Sequence, residues 1–379
     1  MEANLNQHQA DVVIIGGGII GCAIAYNLAK RDVSTLVIDK AARVGTEASW
    51  AGAGILTSHA STHEPYPTLC RASLALYPAL ADELKAATQI DIEFIRAGTL
   101  SVIFNPDEAA GLIGLAERRV SRGFSAEVLT AEEALRLEPA LSPAIKGAVL
   151  FPEDAQVRNP KLVTAFSKGA AQLGTQFKLG NPIAGFIREN GRVVATVVNG
   201  ERIYADTFVI AAGCWAGTLT GMLGCPIPIV PAKGQIVLVE AMPPRFQHMI
   251  DGLGVYLVPR ADGKLLIGAT VEVVGYDKST TVDGVKQMID AGIGISPSLA
   301  QSTFVQTWAG LRPYAKKGPL LGYLPEHENV VLASGHFKNG ILLAPITGKL
   351  IAELLTDRET SLSLEPFQPQ IWQDENGAV

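Results

Sequence analysis

The chain has 379 residues, 48% hydrophobic and 18% charged, with a mean hydropathy of +0.24. That length and apolar content suit about two domains around a large core and exclude an intrinsically disordered chain. Lys and Arg number 31 against 37 Asp and Glu, so a net charge of −6 offers no basic field to nucleic acid.

Residues 1–10 are polar and lack the basic start and apolar stretch of a signal peptide. A β-branched run at 11–15 predicts a buried parallel strand. A helix is expected from there to Lys30, and the apolar run 35–38 ends at Asp39, completing a βαβ unit. Asn159-Pro160 predicts an N-cap followed by proline in the first turn of a helix. Leu162, Phe166, Ala170 and Leu173 continue it at helical spacing. Strands are expected around Phe186, at 193–198 and at 202–204. Asn190-Gly191 and Asn199-Gly200 join them, each a favoured type I′ hairpin turn. Another buried strand at 207–212 ends in Ala211-Ala212-Gly213-Cys214-Trp215. Residues 235–310 read as strand-rich, with 255–258 and 264–269 flanking a turn at Ala261-Asp262-Gly263. Finally, 329–333 predicts a strand, 334–340 a glycine-bearing loop and 341–355 a helix.

The uncharged stretches 12–29 and 207–232 are long enough for membrane spans. Glycines 16–18 and Asn27 interrupt the first. Gly213, Gly217, Gly221, Gly224, Pro226 and Pro228 punctuate the second, so no transmembrane span is expected. Four cysteines form no C-x-x-C and no H-E-x-x-H occurs, which supports no metal site and fits a reducing cytoplasm.

Gly16-x-Gly18-x-x-Gly21 stands between the first strand and helix. There, glycine permits the tight turn, the close approach of a pyrophosphate and tight helix–strand packing. The helix start adds free N–H groups and a partial positive charge. Asp39, 18 residues after Gly21, is placed to accept from a ribose hydroxyl. This motif alone does not separate FAD from NAD. Near the C-terminus, a strand, a glycine loop and a helix start make a site for developing negative charge. Arg312, in Trp308-Ala309-Gly310-Leu311-Arg312-Pro313, has apolar neighbours. A guanidinium there needs an anion, either an internal carboxylate or a substrate one. Tyr256, in Tyr256-Leu257-Val258-Pro259-Arg260, is a strand tyrosine that offers a hydroxyl.

Three further blocks carry a resemblance. They are Ala48-Ser49-Trp50-Ala51-Gly52-Ala53-Gly54-Ile55-Leu56, the pair Gly213 and Trp215, and Gly335-His336-Phe337-Lys338-Asn339-Gly340-Ile341-Leu342-Leu343-Ala344-Pro345. With the N-terminal motif they resemble the D-amino-acid oxidase family of FAD-dependent amine oxidoreductases, its glycine-oxidising members above all. The resemblance implies an α/β fold in which a Rossmann-like FAD-binding domain is interleaved with a β-rich α+β substrate domain. Residues 1–88, 149–222 and 318–379 would form the first, and 89–148 and 223–317 the second.

It implies non-covalent FAD, since no cysteine follows Cys225 to form a covalent flavin link. The implied FAD contacts are Gly16, Gly18, Ile19, Ile20, Gly21, Asp39, Lys40, Ala48, Ser49, Ala53, Gly54, Ile55, Ile183, His336, Phe337, Lys338, Asn339, Gly340, Ile341 and Leu342. Arg312 and Tyr256 would hold a substrate carboxylate, with Lys338 a second cation where many relatives carry arginine. No side-chain acid or base is strictly required. The partners implied are a small amino acid and O2, in a cytoplasmic homotetramer. Two departures stand out. Tyr314-Ala315-Lys316-Lys317-Gly318-Pro319 replaces a turn with Asp before Gly, and His59 and His63 read as solvated or as lining an entrance. Alternatives to the oxidase are a dehydrogenase passing electrons to a quinone or protein, a nicotinamide enzyme, and a non-catalytic flavin-binding module.

Overall fold

A computed structural model describes residues 8–57, 64–240, 246–357 and 359–372. His59 and His63 lie outside the described residues. Two eight-stranded sheets carry the fold. In the first, the run order is Leu320–Tyr323, Val330–Ser334, Glu201–Ile210, His8–Ile15, Thr35–Asp39 and Gln176–Leu179. All neighbours after the first pair are parallel. Side chains alternate as strand geometry requires. Val12 and Ile14 enter the core beneath the helices Ile19–Ala29, Asn159–Gln172 and Gly340–Thr356. Val13 and Ile15 enter a second core with Val193, Ile203 and Leu219. Burial on both faces explains the unbroken apolar run that identifies the strand.

The antiparallel strands Ile183–Glu189 and Arg192–Val198 extend this sheet from Glu201–Ile210. Asn190 (φ 51°), Gly191 (81°), Asn199 (51°) and Gly200 (80°) are all left-handed, as two type I′ hairpins demand.

The second sheet runs Thr303–Tyr314, Val230–Glu240, Lys264–Gly268, Val255–Pro259, Met249–Gly252, Thr99–Ile103, Gly147–Phe151 and Glu127–Thr130. One face packs on the helix Val282–Ile295 through Val237 and Val239, while Ile236 turns toward Ala53 of the loop at 48–56. The sheets thus draw on segments interleaved along the chain. Gly147–Phe151 pairs wholly within the second sheet, so the boundary expected between 148 and 149 falls inside a strand.

Three local expectations change. Asn159 opens its helix rather than capping it, with Arg158 before it, and Leu173 ends that helix exposed. The strand expected to 212 ends at Ile210, and Gly213–Trp215 is a 3-10 turn. The helix Val282–Ile295 interrupts the stretch read as strand-rich. The stretch 12–29 is a strand and a helix, and 207–232 holds a strand end, the helix Ala216–Met222 and a strand start. Among the described residues no helix is long and apolar enough to cross a membrane.

Candidate active site

Gly16 follows the first strand at φ +118°, and a Cβ there would fall 2.4 Å from the Ala211 carbonyl oxygen. Gly18 caps the helix Ile19–Ala29 without a side-chain partner. A Cβ on Gly21 would fall 1.9 Å from the Gly16 oxygen, so this glycine sets how closely the helix packs on the loop. Asp39 braces the same loop: its carboxylate accepts from Gly17 N–H (2.6 Å) and Ala41 N–H (2.7 Å). Ser49 Oγ accepts from Ile19 N–H (2.9 Å), which joins the loop at 48–56 to the helix start.

These pieces face one cavity of about 1210 Å³ between the two sheets. Drug-sized ligands occupy roughly 300–1,000 Å³, so a dinucleotide and a small substrate together suit the space. Of the residues proposed to touch FAD, all but Gly21 and Leu342 line it, including Lys40, Ile183 and His336 to Ile341. The Leu342 side chain is buried in the core, although its backbone lies in the first turn of the helix Gly340–Thr356. That 17-residue helix has no side-chain cap and no acid in its first turn, so its start presents unshielded N–H groups.

Buried groups awaiting a partner provide the test of fit. The N–H groups of Ala53 and Gly54 meet no acceptor among the described residues, and both residues line the cavity. His336 Nδ1 and Thr99 Oγ1 are buried, lack partners and belong to cavity-lining residues. Burial pushes the His336 pKa down to about 3, so its ring stays neutral, with Nε2 3.0 Å from Thr347 Oγ1. Lys40 Nζ lies 3.2 Å from the Trp215 ring centroid, and burial lowers its pKa. Glycine turns, backbone donors and a carboxylate along a long cavity fit FAD.

Across the cavity stand the residues proposed for substrate. Arg312 lies in the strand Thr303–Tyr314, and its Nη1 donates to Thr270 O (3.0 Å) and Lys233 O (3.4 Å). It forms no ion pair among the described residues, so the internal salt bridge is not its anion. Gly234 lies beneath it: a Cβ there would fall 2.0 Å from Nη2. Tyr256 lies beside Arg312 on the cavity wall. Burial raises its hydroxyl pKa, and the guanidinium opposes that rise. Lys338 is exposed at the rim; burial and then Arg312 lower its pKa, while Asp251 raises it.

Sequence reasoning missed several cavity residues. Asp251 sits opposite Tyr256 in adjacent antiparallel strands. Tyr66 accepts from Asn339 Nδ2 (2.8 Å) and starts a helix, Tyr66–Thr88, that the sequence reading did not place. Neither carries a local motif. A proline pair at 65 and 67 flanking Tyr66 was the available sign of a helix start.

Residues 11–354 match the DAO family, described as FAD dependent oxidoreductase. A glycine oxidase of Geobacillus kaustophilus (strain HTA426) is 36% identical over 366 residues, covering 95% of this chain and 96% of that protein. The crystal structure of glycine oxidase from Geobacillus kaustophilus matches with a TM-score of 0.92 at 35% identity, over 96% of this chain and 98% of that one. The Bifunctional protein ThiO/ThiG of Synechocystis sp. (strain PCC 6803) is 34% identical over 372 residues, 96% of this chain and 54% of that protein. The α/β architecture, the dinucleotide cradle and these matches converge: the chain belongs to the DAO family of FAD-dependent oxidoreductases, and FAD is its cofactor.

Proposed function

We propose that this chain oxidises glycine and small secondary or D-amino acids, such as sarcosine, D-alanine and D-proline. The observation that carries the reading is Arg312, a guanidinium with only neutral partners, facing the cofactor cavity beside Tyr256. Its fork suits a carboxylate held by two charge-assisted hydrogen bonds. With the Tyr256 hydroxyl as a further contact, the clamp fixes how the substrate Cα–H points, which is catalysis by orientation. Lys338 adds positive charge at the rim, so anionic substrates are favoured over plain amines. The second sheet's apolar face around Ile236, Met249 and Leu266 limits water beside the bound amino acid.

Held by the glycine loop at 16–21, the loop at 48–56 and the uncapped start of the helix Gly340–Thr356, FAD would supply the two-electron acceptor chemistry that oxidation at the substrate Cα requires, with O2 as the final acceptor and hydrogen peroxide as its product. The substrate amine, deprotonated beforehand, becomes an imine, and from glycine its hydrolysis gives glyoxylate and ammonia. Likeness to a ThiO/ThiG protein supports use of the glycine imine in assembling the thiamine thiazole. The family resemblance also supports a cytoplasmic homotetramer and the division into FAD and substrate domains set out from the sequence, with the boundary near 149 moved past the strand Gly147–Phe151.

The test is aerobic turnover of the yellow holoenzyme with glycine. One peroxide per glyoxylate is expected. Rapid dye reduction without peroxide would transfer the protein to the dehydrogenases.

A further inference from the structure

The loop at 48–56 is held from behind by side chains remote in sequence. Asn159 Nδ2 donates to Ser49 O and Trp50 O, and Trp308 Nε1 donates to Ala51 O (3.0 Å). Arg260 Nη2 donates to Ala53 O, while its Nη1 donates to Gln156 Oε1 and Val157 O, both at 3.1 Å. All three Arg260 acceptors are neutral, and it forms no ion pair among the described residues. Arg158 has its own carboxylate, Asp262, at 3.1 Å.

Burial first, and repulsion from Arg158 second, lower the Arg260 pKa to about 10, with Glu93, Asp262 and Tyr256 opposing. The group is therefore a cation at neutral pH. A desolvated charge is a costly way to tie neutral oxygens, which uncharged donors could hold without the charge. The charge needs a function beyond fastening.

Peptide geometry supplies one. The Ala53–Gly54 bond is trans, so its C=O and N–H point in opposite directions. Arg260 holds this carbonyl and does not itself line the cavity, whereas Gly54 does, so the Gly54 N–H on the opposite edge of the peptide points away from Arg260. That N–H has no acceptor among the described residues. A cation bonded to the carbonyl also polarises the peptide, making the N–H a stronger donor. Gly54 is at φ +70°, and a Cβ there would fall 2.1 Å from Val157 O, so the conformation requires glycine.

We propose that Arg260 is a positioning residue for the cofactor: it aims and polarises the Gly54 N–H at bound FAD, favouring the reduced, more negative form. The inference rests on FAD binding alone and not on the identity of the amine substrate.

The experiment compares parent holoenzyme with Arg260→Met and Arg260→Lys, each equilibrated anaerobically with a redox dye. In Arg260→Met the equilibrium constant for two-electron reduction should fall tenfold or more, about 30 mV for this couple. Arg260→Lys should restore it to within threefold at pH 7. Its reduction constant should then fall below the parent's as pH rises and the buried amine loses its proton. A constant within twofold of the parent in Arg260→Met overturns the proposal. Where Arg260→Met holds no FAD, Arg260→Lys decides alone, and a ratio to the parent that stays flat with pH overturns the proposal.

Discussion

Arg312 owes its position to a missing atom. Its guanidinium lies against the place a Cβ on Gly234 would take, 2.0 Å from Nη2, and donates to the carbonyl oxygens of Lys233 and Thr270. Arg312→Ala should leave FAD bound and raise the KM for glycine about 10- to 100-fold, the loss of charge-assisted hydrogen bonds of roughly 1.5–3 kcal/mol. Gly234→Ala should fold, since the obstructed group is the end of a flexible side chain, and should raise KM through displacement of the guanidinium. Steady-state kinetics on FAD-matched samples check both, and an unchanged KM in Arg312→Ala removes that residue from the substrate clamp.

His336 offers a different readout at the same scale. Its folded pKa of about 3 lies below the ordinary histidine value of about 6.5. Between those values the unfolded chain binds a proton that the folded one refuses. The stability tied to this neutral ring is therefore full above about pH 6.5 and is lost as pH falls toward 3. In His336→Gln, denaturant titrations across that window should show a slope shallower by up to about 1.4 kcal/mol per pH unit. Equal slopes would mean the buried ring does not resist protonation.

Among the elements, the glycine loop between His8–Ile15 and Ile19–Ala29 is the most tightly specified. Gly21→Ala would set a methyl 1.9 Å from backbone oxygen, which has no flexible way to yield. We expect the variant to purify largely without FAD and with a lower Tm, read from flavin absorbance and thermal melting. Full FAD content at parental Tm would show that the helix can shift at little cost.

This loop, the two Asn-Gly hairpins and the C-terminal strand–loop–helix were legible because each depends on neighbours in sequence. Arg312 was legible because a lone charge in an apolar strand stands out. Asn159 was misjudged for the same local reason: before proline it reads as a cap, yet its amide serves carbonyls 109 and 110 residues away. Trp308 and Arg260 act on Ala51 and Ala53 across 257 and 207 residues, so no periodicity or spacing reports them. The helix Val282–Ile295 hid behind Gly284, Gly292 and Gly294, which lower helix propensity. Packing explains these glycines: an added Cβ would fall 2.6 Å from Gln235 Nε2 at Gly284, 3.1 Å from Ile267 at Gly292 and 2.8 Å from Leu253 at Gly294.

At the scale of the molecule, one sheet brings the dinucleotide cradle and the other brings Arg312 and Tyr256, the proposed carboxylate clamp, and the cavity lies where they meet. The loop at 48–56 belongs to both, braced by Asn159 on one side and by Trp308 and Arg260 on the other. Under the proposed function, cofactor binding and substrate orientation would therefore be coupled through the same few backbone groups. The central claim is that glycine bound between Arg312 and the cofactor gives up its electrons there. Anaerobic mixing of glycine with the purified yellow protein tests it most directly. The oxidised flavin absorbance should bleach in a single turnover and return on admission of air, with one equivalent of peroxide. A spectrum that glycine, sarcosine, D-alanine and D-proline all leave unchanged would contradict the account.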